Sequence, residues 1–423
     1  MKLAVVVQRY GPAVRGGTEG QARYVAEHLA QHADVEVLTT CAASASTWAN
    51  EFSAGSETLN GVQVRRFRVS TPPSASTRAR LADRVFTQTH SIADELQWLE
   101  ACAPLSPSLL RHLRKNASSY DFFLFYGYRS AITYYGSYAV APKAVLIPRV
   151  ESDPSIGTRV FADMFGNVRS ILFDSPEERS LVQTVCAGRG MSNAVIGAGV
   201  DVPQSPQPGR FRQKRNIRGP FAIYVGPMDG ESGSDLVQLF DRYAKEASSR
   251  LSLVLVGEGS GPVGPVANHP RIKRAGVLDD TDKFDAIAAA EAVIVPSRFQ
   301  SFSRTALESW ALGKPVLANG ESKALTGQCV RSNGGLCYRN ADEFVGMLQA
   351  LEQNRWLNAA LGRNGRQFVR DHYDWKVVGS KYHDMLTKLQ NDRSKDASAS
   401  MPGWLARRRR DVSPSTETTR SVA

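Results

Sequence analysis

A chain of 423 residues with 42% apolar side chains is long enough for two or three domains, each with a core of its own. Its net charge of +11 calls for a polyanionic partner: nucleic acid, an anionic membrane face or a phosphorylated substrate. Residues 391–423 carry +3 of that charge and the body +8; no zinc finger, basic zipper or ribonucleoprotein signature accompanies it, so nucleic acid is not an expected partner. Five cysteines (Cys41, Cys102, Cys186, Cys329, Cys337) are odd in number, far apart and never in C-x-x-C spacing, and they read as small apolar core residues in a reducing cytosol. No secretory pattern precedes the first apolar run, and no run approaches the roughly 20 residues of a membrane span, so a cytoplasmic protein is expected.

Apolar strand-like runs alternate with helical patterns through the first half: Leu3–Val7, Val35–Leu38, Val62–Phe67, Phe122–Tyr126 and Ala144–Ile147. Such alternation predicts an α/β fold with parallel sheets wrapped by helices. The Pro-, Gln-, Arg- and Gly-rich stretch Gln204 to Gly219 cannot hold a regular element for long and marks a domain boundary. The pattern restarts with Phe221–Val225, Leu251–Val256 and Ala292–Val295, which predicts a second doubly wound domain. The expected division is therefore residues 1–203, 204–390, and a disordered basic tail at 391–423. Trp356 to Leu389 reads as helices broken around Asp371–Trp375, the last able to pack on either domain. Ligands of open α/β sheets bind beyond the carboxyl ends of the strands, and the site is sought there.

The first strand runs through Arg9 and Arg15 into Gly16-Gly17-Thr18-Glu19, just before a helical pattern from Gln21 to Ala30. Paired glycines there let a backbone approach a ligand, or simply form a strand-to-helix turn. The dinucleotide spacing is absent, and Pro262 and Pro265 interrupt any helix after Gly257-Glu258-Gly259-Ser260-Gly261. More informative is Val295 to Val316: a strand ends at Pro296, the loop Ser297-Arg298-Phe299-Gln300-Ser301-Phe302 leads to a helix starting near Ser303, and Gly313-Lys314-Pro315 closes it. Free amides of that loop are suited to a diphosphate, and Glu308, one to two turns along, to ribose hydroxyls. The mixed apolar and basic stretches Leu109–Lys115 and Trp404–Arg410 are candidates for contact with anionic lipid, or are solvated charge runs.

The Val295–Val316 stretch resembles the signature of family 4 glycosyltransferases, which have two facing Rossmann-like domains, the GT-B fold. Gly16-Gly17-Thr18-Glu19, Tyr224-Val225-Gly226, Val256-Gly257-Glu258-Gly259 and Arg331–Tyr338 match the same family in the same order, over most of residues 1–390. The resemblance implies a retaining hexosyltransferase that needs no metal and no cofactor. Its donor would be a GDP- or UDP-linked sugar, and its acceptor a cell-surface glycan or a lipid-linked molecule at the inner membrane face. Donor contacts fall by resemblance on Gly226, Gly233, Gln300, Ser301, Phe302, Ser303, Arg304 and Glu308, the acceptor-side loop on Gly16 and Gly17, and catalytic positions on Gln300 and Glu151.

Five positions depart from the family pattern. Gln300 replaces a glutamate that touches the donor sugar; Pro227 and Ser232 replace an arginine and a lysine that bind the diphosphate; Glu151-Ser152 stand where a His-Asp pair is usual. Fixed cations that stabilise a leaving phosphate contribute several kcal/mol to such chemistry. Arg9, Arg15, Arg298 and Arg304 are candidate substitutes, with Arg304 equally readable as a solvated surface residue. The departures keep open a catalytically degenerate scaffold that binds glycans or partner enzymes; a sugar-nucleotide epimerase on the same fold is a third reading.

Overall fold

The structure is a computed structural model, and it describes residues 1–14, 16–186, 192–228, 231–259, 269–392 and 411–416. Its contacts form two compact units, Met1–Ala198 together with the chain from Gly379, and Gly199–Val378.

The first unit is built on β1 (Lys2–Val6), β2 (Asp34–Thr40), β3 (Gly55–Leu59), β4 (Val62–Phe67), β5 (His90–Ser91), β6 (Phe122–Tyr126), β7 (Ala144–Ile147), β8 (Ser170–Phe173) and β9 (Asn193–Val195). Eight of these make one sheet in the order β3-β4-β2-β1-β6-β7-β8-β9. Only β3 runs antiparallel to its neighbour. Val5 of the central strand lies between Val37 and Leu124, and every residue of β6 is buried. A parallel strand covered by helices on both faces has no polar side to show, which is why these strands read as unbroken apolar runs.

The second unit carries β10 (Phe221–Val225), β11 (Ser252–Val256), β12 (Ile272–Gly276), β13 (Ala292–Val295), β14 (Val316–Asn319) and β15 (Gly335–Tyr338), in the order β12-β11-β10-β13-β14-β15. All its pairings are parallel. The chain winds outward from β10 to β12, then returns to β13 on the other side of β10. The strand order thus reverses between β10 and β13, the position at which ligands of open α/β sheets bind.

Two terminal segments depart from the sequence expectation. The sequence reading ends the second domain at residue 390, but the final helix Trp375–Asn391 passes from one unit to the other, and from Gly379 onward it belongs to the first. Tyr382 is buried there with its hydroxyl 3.3 Å from that of Tyr126, Lys381 donates to the Ile196 carbonyl, and Arg169 donates to the Leu389 carbonyl at 3.0 Å. In the tail read as disordered, β16 (Asp411–Val412) pairs antiparallel with β5, and the Thr416 hydroxyl donates to the Phe86 carbonyl at 2.7 Å. Trp404–Arg410 lies outside the described residues.

The helix Pro107–Lys115 buries Leu109 and Leu113 in the core of the first unit, so its apolar side is used inside the protein and it exposes Arg111, Arg114 and Lys115. Among the described residues no helix is long and apolar enough to cross a membrane.

Candidate active site

The loop after β13 lies at the point of strand reversal. Asn319, the last residue of β14, donates from its side chain to the Pro296 carbonyl at 3.1 Å and fixes the start of the loop. Phe302 turns inward against Tyr373, ring centroids 5.6 Å apart, so only its backbone can face a ligand. Ser301 is buried beside it, whereas Phe299 is 54% exposed. The Gln300 side-chain oxygen is buried and has no hydrogen-bond partner among the described residues. A buried acceptor without a donor is costly, and a sugar hydroxyl would satisfy it.

Ser303 caps the helix Arg304–Ala311 by accepting from the Ala306 amide at 3.2 Å, and its own amide donates to the Gln328 side-chain oxygen at 3.0 Å. Two amides in the region that the sequence reading leaves free for a diphosphate are therefore satisfied inside the protein. One is taken by the Ser303 cap itself and the other by Gln328, a buried glutamine from the helix Lys323–Ser332 that sequence spacing does not reveal.

Glu308 is nearly fully buried on that helix, and its Oε1 receives Arg304 Nε at 3.0 Å and Lys283 Nζ at 3.2 Å. Arg304 is thus held by Glu308 as well as by its helix position. Lys283 is a residue the sequence reading missed. It lies in the helix Asp280–Ala289, started by the Asp279 cap, 3.2 Å from Asp280 and with its ammonium 4.3 Å from the ring centroid of Phe284. The run Asp279-Asp280-Thr281-Asp282-Lys283 was its only signal.

At the end of β10 the backbone is tight. The Gly226 amide donates to the Val256 carbonyl at 2.9 Å, and Tyr224 donates its hydroxyl to the Pro227 carbonyl at 2.8 Å. A Cβ on Gly233 would overlap the Met228 carbonyl, so this glycine is required by packing whether or not a ligand binds. Ser232 sits in the first turn of the helix Glu231–Glu246. On this side Arg298 reaches Glu231 at 3.3 Å, Asp235 at 3.2 Å and Glu321 at 3.4 Å. Three carboxylates around one guanidinium leave an excess of negative charge, the reverse of what a diphosphate needs.

In the first unit Gly16 adopts φ 154°, a conformation costly for other residues, and a Cβ there would run into the Glu19 carboxylate. Arg9 is buried. Its guanidinium binds Glu19 at 2.7 Å and the Ala43 carbonyl at 3.0 Å, which ties the glycine turn to the loop beyond β2. Arg15 lies outside the described residues.

Arg149, also missed, has φ 57°, an uncommon backbone for a residue with a side chain. Its Nη1 donates to buried Asp174 at 2.7 Å and to Gln21, while its Nη2 lies 3.5 Å from where a Cβ on Gly17 would stand. Asp174 also accepts from Gln21 Nε2 at 2.6 Å. Glu178 holds the two loops together by accepting the amides of Val150 at 2.6 Å and Asp174 at 2.7 Å; burial, then the Asp174 charge, pushes its carboxyl well above the ordinary range.

Glu151, predicted as catalytic, is partly exposed and pairs with Arg129 at 2.9 Å, which also holds Asp153 at 3.0 Å. Desolvation outweighs that cation and raises the Glu151 carboxyl.

Residues 219–354 match the model of the family described as Glycosyl transferases group 1. Among curated proteins, MMP alpha-(1->4)-mannosyltransferase of Mycolicibacterium hassiacum is 25% identical over 197 residues, 44% of this chain and 46% of that protein. Glycogen synthase of Mycobacterium tuberculosis is 26% identical over 208 residues, 46% and 48%. The aligned segment spans about half the length of these curated relatives. Among solved structures, sucrose-phosphate synthase from Thermosynechococcus elongatus superimposes with TM-score 0.68 at 16% identity, over 92% of this chain and 98% of that one. Anabaena Alr3699/HepE in complex with UDP and glucose gives 0.66 at 15%, over 92% and 99%. The fold class is therefore α/β of the GT-B type, with two parallel-sheet domains.

Proposed function

With a group 1 glycosyltransferase domain over residues 219–354 as the premise, we propose that the protein is a retaining hexosyltransferase. It would use a GDP- or UDP-linked donor, without a metal or other cofactor. The observation that carries the reading is Glu308, a buried carboxylate fixed by Arg304 and Lys283 at the strand-reversal point of the second unit. Holding a carboxylate buried costs several kcal/mol unless it is paired, and its Oε2 remains to accept ribose hydroxyls.

Gln300 takes a sugar hydroxyl on its unsatisfied oxygen, and the diphosphate lies against the backbone at Gly233, Ser301 and Phe302, beside Gly226 and Ser303, whose own amides are bonded inside the protein. Arg298 supplies the cation that Pro227 and Ser232 do not. Gly16 and Gly17 face the acceptor, which is a cell-surface glycan or a lipid-linked molecule. The exposed Arg111, Arg114 and Lys115 favour work at the anionic inner face of a membrane.

A second reading, a degenerate scaffold, is favoured by the three carboxylates around Arg298 where the family binds a diphosphate. Incubating the protein with GDP- and UDP-hexoses and a membrane acceptor fraction separates the readings by measured nucleotide release. Transfer predicts acceptor-dependent release that falls at least ~10-fold in kcat/KM for Glu308→Gln. No release with any donor leaves the scaffold, and donor conversion without acceptor indicates an epimerase.

A further inference from the structure

Two of the cysteines that the sequence treats as far apart meet in the second unit. Cys329 lies on the helix Lys323–Ser332 and Cys337 on the edge strand β15. Asn333, with φ 43°, and Gly334 turn the chain between them, so the helix folds back on the strand that follows it. The Cys329 sulfur lies 3.2 Å from where a Cβ on Gly335 would stand. Side chains alternate along a strand, so residues 335 and 337 share that face, and the Cys337 side chain stands on the side of β15 where the Cys329 sulfur lies. Cys329 is buried, whereas Cys337 is half-buried.

We propose that Cys329 and Cys337 form a reversible disulfide joining the helix Lys323–Ser332 to β15, a modification site separate from sugar transfer. The oxidant is a small-molecule disulfide such as oxidised glutathione. The Cys337 thiolate attacks one glutathione sulfur and expels the other as glutathione thiolate, leaving a mixed disulfide. Cys329 then loses its proton and attacks Cys337 Sγ, which closes the protein disulfide and releases the second glutathione. Two thiols give up two electrons and two protons, and one oxidised glutathione becomes two reduced molecules.

Geometry and acidity agree on the order of attack. The neighbouring Cys329 thiol, assisted by Thr326, holds the Cys337 thiol below its ordinary range although burial opposes it. The Cys337 neighbour and burial raise Cys329. The more exposed and more acidic thiol is the one that attacks.

The bond would bear on the candidate donor loop. Gln328, next to Cys329, holds the Ser303 amide, and the Trp310 ring nitrogen donates to the Gly334 carbonyl at 2.8 Å. The cysteine loop is therefore tied, next to Cys329 and at the turn before β15, to the helix that carries Glu308 and its cap.

The test is to treat the full chain with oxidised glutathione and digest it with trypsin without reduction. Trypsin cuts after Lys323, Arg331 and Arg339, so the disulfide links peptide 324–331 to peptide 332–339. The expected result is this linked pair, lost on adding dithiothreitol and absent from both Cys329→Ser and Cys337→Ser. A stable glutathione adduct on Cys337 without the linked pair, or both thiols unreacted, overturns the proposal. The wild-type digest decides this by itself if a serine variant does not fold, and neither result depends on nucleotide binding.

Discussion

Both candidate loops hold their arginines in ion pairs, but the pairs differ in kind. Arg149 meets Asp174, whose side chain is 2% exposed, within a buried set completed by Gln21. Arg298 is 42% exposed and meets three carboxylates that are also open to water. A surface pair is worth about 0–1 kcal/mol, whereas breaking a buried one by removing a partner costs about 3–5 kcal/mol. The exposed pairs of Arg298 are therefore cheap to break, although a phosphate approaching it also meets its three carboxylates, while Arg149 stays where the fold puts it. The first unit uses its buried charges to fix a loop, and the second holds its exposed cation in pairs that can exchange.

The comparison breaks most readily at Asp174. Asp174→Ala should lower unfolding stability by about 3–5 kcal/mol in urea denaturation, because Arg149 is left without its carboxylate. A loss under about 1 kcal/mol would mean that the buried set is no tighter than a surface pair.

Arg298→Ala should leave the urea midpoint nearly unchanged and weaken GDP or UDP binding about 10-fold, near 1.4 kcal/mol. Unchanged affinity would remove Arg298 from the donor site.

The smallest effect is a pH dependence in the first unit. Burial disfavours the charged form of His90, but bonds from its ring to Glu95 at 3.0 Å and the Gln88 carbonyl at 2.8 Å prevail and raise its pKa. The stabilisation is complete below about pH 6.5 and is lost as pH rises through the higher folded value. The urea midpoint of wild type should therefore fall more between pH 6 and 9 than that of His90→Gln. Parallel curves would show that folding does not raise the His90 pKa.

Much of the sheet framework was legible because buried parallel strands are continuous apolar runs, as at Phe122–Tyr126 and Ala292–Val295. The strand Gly55–Leu59 was not, being a polar, exposed edge. The helix Arg304–Ala311 was anticipated from Ser303 and Gly313, since caps are local chemistry. Arg149, Lys283 and Gln328 were missed because their partners are distant in sequence: Arg149 meets Gln21, Lys283 meets Glu308, and Gln328 meets Ser303. The tail strand at Asp411–Val412 has the same cause, since pairing with His90–Ser91 leaves no local periodicity.

The central claim, that Glu308 and its cations form a living donor site, is tested most directly by calorimetric titration of wild type and Glu308→Ala with GDP and UDP. The account predicts saturable binding of at least one nucleotide to wild type, weakened at least ~10-fold in Glu308→Ala. No saturable binding of either nucleotide to wild type in the millimolar range would contradict it and leave the scaffold reading.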